Sequence, residues 1–354
     1  MRPCKIRLSR AALQHNFALI KAYAPQCRIW AVVKANAYGH GLRFAAETLA
    51  DRADGFAVAC VEEAESLRAL GLAQPILLLE GLFSPQEAQT ARSLQLELVI
   101  HRYEQLQWLV ECDADYPWRL WVKLDTGMHR LGFAWSDSKV LIQRLRKLLP
   151  RAQVHALSHL ACADEENDRF TPIQIERFER ATVPWAAQRS LANTAGLIRY
   201  PNSHYDWVRP GIGLYGATDL LRQRQAVMHF LSEVIAIKQV GAGEGVGYGL
   251  DWVAGRPSIL AVVAAGYGDG YPRHTASGTP VWLAGATAPI VGRVSMDMLC
   301  VDITDHPARD GIQPGESVEL WGDQVSVTLV AQQAGTIAYE LLCAITERVH
   351  REES

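Results

Sequence analysis

A lysine at the carboxyl end of an apolar run is the residue from which chemistry is most directly argued. Ile29–Val33 reads IWAVV; Lys34 follows it, and Asn36, Tyr38, Gly39, His40 and Gly41 come next. A β-branched apolar run of this kind predicts a buried strand, and the polar, aromatic and glycine residues behind it suit a loop. Burial disfavours an ammonium, and a neutral amine is what imine formation with an aldehyde needs. The ordinary alternative is a strand-end lysine that snorkels its charge into solvent, and residue types alone leave both open. Other stretches also carry usable groups. Asn193-Thr194-Ala195-Gly196 and Arg209-Pro210-Gly211-Ile212-Gly213 combine a hydroxyl, an arginine and glycines. Such a set makes either a phosphate cradle or a plain turn. Arg130 closes the stretch Lys123-Leu124-Asp125-Thr126-Gly127-Met128-His129-Arg130, which follows another apolar run. Tyr267 lies in the glycine-rich run Ala265-Gly266-Tyr267-Gly268-Asp269-Gly270. A phenol ionises near pH ~10 and must be perturbed before it accepts a proton near neutrality, so packing is its ordinary role.

The elements that would position these groups are readable as a rhythm. Ser9 reads as an N-cap for an amphipathic helix over Arg10–Tyr23. From Ile29 onward apolar runs recur at Gly55–Ala59, Pro75–Leu79, Leu96–Ile100, Trp118–Leu124, Gln153–His159, Arg189–Ala192 and, most weakly, Asp206–Arg209. Helix-like stretches alternate with them: Leu42–Asp51, Val61–Leu70, Pro85–Ser93, Tyr103–Cys112, Ser138–Leu149 and Pro172–Gln188. Ser84 ahead of Pro85, with Glu87 behind, reads as a helix start. About eight β–α units of this kind predict a (β/α)8 TIM-type barrel, with an open doubly wound sheet as the alternative. In such a barrel the working residues sit at the carboxyl ends of the strands. Lys34, Tyr38, Lys123, Arg130, His159, Thr194, Arg209, Gly211 and Ile212 all fall there.

Past Met228 helical periodicity gives way to short runs separated by glycine and proline: Ser232–Val240, Ser258–Ala264, Pro280–Leu283, Pro289–Val294, Leu299–Ile303 and Ser317–Leu320. This predicts a barrel over residues 9–227 and a mainly-β domain over 228–354, joined by a strand within residues 1–8. Val327–Gln333 and Tyr339–His350 read as closing helices.

Composition narrows the partners. With 49% hydrophobic residues, 21% charged residues and a net charge of -3, the chain reads as globular. Its lysines and arginines form no stripe, so neither nucleic acid nor an anionic membrane is expected as a partner. Seven scattered cysteines fit neither a disulfide framework nor a zinc site, and no metal is expected. No run approaches the roughly 20 apolar residues of a spanning helix, and the N-terminal segment does not read as a signal peptide. A cytoplasmic enzyme is the expectation.

Val32-Val33-Lys34-Ala35-Asn36-Ala37-Tyr38-Gly39-His40-Gly41 resembles the cofactor-lysine signature of alanine racemases, and further blocks resemble the same family in the same order. The resemblance implies pyridoxal 5'-phosphate as cofactor, joined to Lys34. It implies that Thr194, Gly211 and Ile212, with Tyr38 and Tyr339, contact its phosphate. Arg209 would face its pyridine nitrogen, supported by His159. Arg130 would contact the substrate carboxylate, held by Lys123, which family members often carry as a carbamate; a plain lysine facing Asp125 is the alternative. In Val294-Ser295-Met296-Asp297-Met298, Met296 would contact substrate through its backbone and Asp297 would support it. Tyr267 would be the second catalytic base, entering the other subunit's site in a homodimer. The implied reaction is interconversion of L- and D-alanine by a two-base mechanism, Lys34 serving the D-isomer and Tyr267 the L-isomer. It would either supply D-alanine for peptidoglycan or catabolise it. The alternatives are a broader racemase of small amino acids such as serine, a decarboxylase of related fold, and a non-catalytic cofactor carrier. The Tyr267 and Arg130 blocks favour a racemase over a decarboxylase, and a carrier would lack the β-domain.

Overall fold

Strands that are apolar on both faces must be covered on both, and a ring of parallel strands inside a ring of helices does this. The computed structural model describes residues 2–354. Its ring consists of Arg28–Val32, Gly55–Val58, Ile76–Leu78, Glu97–Ile100, Arg119–Asp125, Gln153–Leu157, Arg189–Ser190 and Trp207–Val208. Neighbours in the chain are neighbours in space, all parallel, and the ring closes where Trp207 and Val208 pair with Arg28 and Ile29. The (β/α)8 expectation therefore holds. Tryptophans fill the interior: Trp30 stacks on Trp207 at 4.2 Å, and Trp121 meets both edge-on at 6.2 and 6.4 Å. Gly55 leaves room for them, since a Cβ there would lie 2.3 Å from the Trp30 ring.

The second unit is organised by one long strand, Met228–Val240. Its first residues pair antiparallel with Lys5–Leu8. Beyond a register shift between Val234 and Ala236 it pairs with Ser258–Val263. Its other edge pairs with Ser317–Trp321. Pro280–Leu283, Ala286–Val291 and Leu299–Asp302 complete a closed antiparallel sheet.

Several sequence expectations need correction. The long strand begins at Met228 rather than Ser232, because Lys5–Leu8 supplies pairing for four more residues. The expected helix Tyr339–His350 is Ala338–Cys343 only. Thr346 then bonds to Asp269 and Gly268, and His350–Glu353 pairs parallel with Lys5–Leu8. This tertiary pairing outweighs the helical pattern. The expected helix Pro172–Gln188 stops at Thr182, and the strand placed at Pro289–Val294 is Ala286–Val291, ending at Gly292 with φ 70°. Ser84 does not cap a helix. It donates to Glu87, the first residue of Glu87–Ser93, whose other oxygen accepts from the Phe83 amide. Ser9 does cap Arg10–Tyr23, accepting from the Ala12 amide at 3.2 Å.

Candidate active site

The turn after the first barrel strand is not the ordinary loop expected of it. Ala35, Asn36 and Ala37 have φ/ψ of 52/53°, 53/45° and 54/51°, and Tyr38 has φ 52°. This is a left-handed helical turn without glycine, which costs about 1–2 kcal/mol per residue. Neighbouring groups hold it: Ala37 N–H donates to Val33 at 2.8 Å, the Asn36 side chain accepts from Leu42 N–H at 2.7 Å, and Glu63 accepts from Asn36 N–H at 3.3 Å. The reversed hand sets Lys34 and Tyr38 in one cavity of about 630 Å³ at the carboxyl ends of the barrel strands. Strained non-glycine backbone of this kind is concentrated at functional sites.

Positive charge dominates this cavity. Lys34, Lys123, Arg130 and Arg209 line it, against a single acid, Glu80. Lys34 reaches toward solvent, as the ordinary alternative for a strand-end lysine has it; 38% of its side chain is exposed, and Nζ lies 3.9 Å from Glu80 Oε1. The buried lysine is Lys123, whose amine is pushed down to about 8 by desolvation, then by Arg209, Arg130 and Lys34. Asp125 does not face it, because that carboxylate accepts from the Gly127 and His129 amides instead. Arg209 is buried and donates to Ser190 Oγ at 2.6 Å and to the carbonyls of Ser158 and Leu191. Burial lowers its guanidinium to about 9, which leaves it charged at neutral pH. His159 is held well below its usual value by burial and then by Arg209, so its Nδ1, 3.5 Å from Arg209 Nη2, is an acceptor.

Neutral donors form another part of the cavity wall. Thr194 Oγ1 accepts from the amides of Gly211 and Gly213 at 3.2 and 3.3 Å, which frees its own proton for a ligand. Tyr38 Oη presses against Gly211, where a Cβ would come within 2.3 Å of it. Burial raises the Tyr38 phenol, and raises that of Tyr339 to about 12, so both stay protonated. The two rings lie 5.8 Å apart, and Ile212 completes this wall. An amine beside clustered cations and hydroxyl donors can bind a multiply anionic aldehyde and join it as an imine.

Not every expected residue lies here. Tyr267, Met296 and Asp297 do not line the cavity of this chain. Tyr267 is on the β-domain, 38% exposed, in a turn over Tyr267–Asp269, and Met296 is 51% exposed beside it. The Gly268 amide donates to the Met296 carbonyl at 2.9 Å, so the two loops form one surface. Asp297 pairs with Arg348, which lowers its carboxyl. Sequence reasoning missed Glu80, although it follows the strand Ile76–Leu78 at the same carboxyl end that marked the others.

Comparison with known proteins adds to this geometry. Residues 8–219 match the family model "Alanine racemase, N-terminal domain", and residues 227–353 match "Alanine racemase, C-terminal domain". A biosynthetic alanine racemase of Pseudomonas aeruginosa is 46% identical over 360 residues, covering 100% of both chains. An alanine racemase of Legionella pneumophila is 44% identical over 362 residues, covering 98% of this chain and 99% of the relative. Among solved structures, the biosynthetic alanine racemase from Pseudomonas aeruginosa superposes with a TM-score of 0.95 at 45% identity, over 100% of both chains. The alanine racemase from Acinetobacter baumannii does so with a TM-score of 0.93 at 37% identity, over 100% of both chains.

Proposed function

The chain belongs to the alanine racemase family, and on that premise we propose how its residues perform the interconversion of L- and D-alanine. Members of the family are pyridoxal-phosphate-dependent isomerases. The observation that carries the reading is the convergence of Lys34 with three further cations and protonated hydroxyls in one cavity. That donor set fits pyridoxal 5'-phosphate: Tyr38, Thr194, Tyr339 and the Gly211–Ile212 turn would hold the phosphate, and Lys34 the aldehyde carbon.

When bound, the cofactor supplies an electron sink that acidifies the α-hydrogen of an attached amino acid. The chain's own groups do the rest. Arg209 is fixed by four acceptors and charged; placed against the ring nitrogen, it would oppose protonation there and weaken the sink, which would favour simple proton exchange. His159 is a neutral acceptor that steadies Arg209. Arg130 has no ion pair among the described residues, which leaves its fork for the alanine carboxylate. Lys34 Nζ removes or returns the α-proton on one face, and a phenol does so on the other. Tyr267 of this chain stands outside the cavity, which supports the reading that the phenol facing Lys34 is the partner subunit's Tyr267. The active molecule is thus a head-to-tail homodimer with shared sites, in which Met296 and Asp297 also border the partner's cavity.

No described helix is long and apolar enough to cross a membrane. The relative named a biosynthetic alanine racemase, 46% identical over the whole chain, supports a cytoplasmic enzyme that supplies D-alanine for peptidoglycan, over the alternative of catabolising it. The deciding experiment is to incubate purified protein with pyridoxal phosphate and L-alanine and to follow D-alanine by chiral chromatography. Tyr267→Phe is expected to abolish racemisation while keeping the bound-cofactor absorbance. A Tyr267→Phe enzyme that racemises normally would refute the two-base assignment, and failure of the native enzyme to form D-alanine would refute the reaction.

A further inference from the structure

The Tyr267 phenol makes no side-chain hydrogen bond among the described residues, so its position is set by the turn that carries it. That turn is built around one carboxylate. Asp269 is fully buried, and its Oδ2 accepts from the Gly266 amide at 2.9 Å. Arg2 grips it with two prongs, Nε to Oδ1 at 3.1 Å and Nη2 to Oδ2 at 2.8 Å. Arg348 adds a second guanidinium, Nε to Oδ1 at 2.8 Å. A buried charge with bidentate and backbone partners has little freedom, because each bond restricts the same two oxygens.

The same arginines reach the neighbouring loop. Arg2 Nη2 donates to the Asp297 carbonyl at 2.5 Å, and Arg348 Nη2 to the Asp297 carboxylate at 2.5 Å. Asp297 follows Met296, whose carbonyl accepts from Gly268. Two side chains from segments distant in sequence therefore hold both loops that would face the partner's cavity.

We propose that Asp269, clamped by Arg2 and Arg348, is a positioning residue that aims the Tyr267 phenol at the substrate α-carbon. The proposal rests on Tyr267 being the acid–base phenol. Its effect belongs to one of the two proton transfers: a loosened clamp slows the Tyr267 step and leaves the Lys34 step alone. A merely structural carboxylate would instead change the amount of folded enzyme and favour neither step.

The test uses the full-length holoenzyme as Arg2→Met, Asp269→Asn and Tyr267→Phe. Loss of racemisation in Tyr267→Phe upholds the underlying assignment, and retention of it removes that assignment, whatever the other variants do. Arg2→Met and Asp269→Asn are expected to lower kcat/KM for both isomers by roughly tenfold or more, as a misplaced group does. The kinetic isotope effect with α-deuterated L-alanine should rise, and that with α-deuterated D-alanine should fall toward unity. Hydrogen exchange at the amides of residues 266–270 should quicken in Arg2→Met while the barrel strands stay protected. Should Asp269→Asn fail to fold, Arg2→Met decides, because Arg2 is 29% exposed at the rim of the clamp. Isotope effects unchanged for both isomers in Arg2→Met would overturn the proposal.

Discussion

The Lys34 ammonium stands 3.9 Å from the Glu80 carboxylate, the lone acid among four cations that line the cavity. Both side chains are nearly two-fifths exposed, so the pair contributes little to stability, about 0–1 kcal/mol. Its larger effect is on charge. Glu80→Gln raises the cation excess and is expected to tighten pyridoxal phosphate binding by roughly twofold to tenfold, with Tm nearly unchanged. Equilibrium dialysis against cofactor checks this, and weaker binding would contradict it.

Burial and three neighbouring cations bring Lys123 down to about 8 from 10.5. Near neutrality an appreciable fraction is the free amine, the form that reacts with carbon dioxide. A carbamate on Lys123 is therefore expected, observable as a carbonyl resonance from 13C-bicarbonate that Lys123→Met abolishes. The same shift has a stability consequence. In buffer free of carbon dioxide, where Lys123 is the plain amine, the unfolded chain holds this proton up to about 10.5 and the folded one only to about 8, so stability rises with pH between those values. In Lys123→Met that rise should shrink by an amount on the order of 3 kcal/mol. A native-like pH dependence of unfolding in Lys123→Met would sink the assignment.

Acid should weaken the fold through its histidines. Burial holds His40 and His155 near 4, against an ordinary value of 6.5. Below 6.5 the unfolded chain takes up protons that these folded imidazoles refuse. Stability is thus lost as pH falls from 6.5 to about 4, by on the order of 3 kcal/mol per histidine. His155→Gln should flatten the stability curve over this range by about one proton. Urea titrations at a series of pH values measure it.

Gly211→Ala places a methyl group 2.3 Å from Tyr38 Oη. The phenol must swing aside, and with it the donor proposed for the cofactor phosphate. Cofactor affinity is expected to fall by about tenfold or more, the value of one charge-assisted hydrogen bond. Affinity equal to the parent's would mean that Tyr38 does not touch the phosphate.

Shared sites can be tested by mixing. Lys34→Ala and Tyr267→Phe dimers are each expected to be inactive. After dissociation and reassociation, mixed dimers carry one site with both native groups, and about a quarter of the parental activity should return. Silence after subunit exchange would show that amine and phenol come from the same chain.

Much of this was readable in the chain. Strand runs from Ile29 to Val208 were visible because strands buried on both faces are apolar throughout, and their carboxyl ends pointed to the cavity. The left-handed turn at Ala35–Tyr38 was not visible, because its hand is imposed by Glu63 and Asn36 contacts rather than by glycine. His350–Glu353 was hidden for a related reason. Its residues are polar, and only pairing with Lys5–Leu8 makes them a strand. The role proposed for Tyr267 rests on resemblance alone, since nothing in a glycine-rich turn distinguishes a working phenol from a packed one.

Lys5–Leu8 lies between Met228–Leu231 and His350–Glu353, and so depends on partners that leave the ribosome long after it. At ordinary translation speeds it waits on the order of tens of seconds for the last of them. Lys5 and Arg7 alternate with Ile6 and Leu8, and charges on a lone strand discourage pairing with stray chains meanwhile. Cys4, 1% exposed in the finished fold, should remain open to maleimide in nascent chains arrested before residue 227 and become shielded on release.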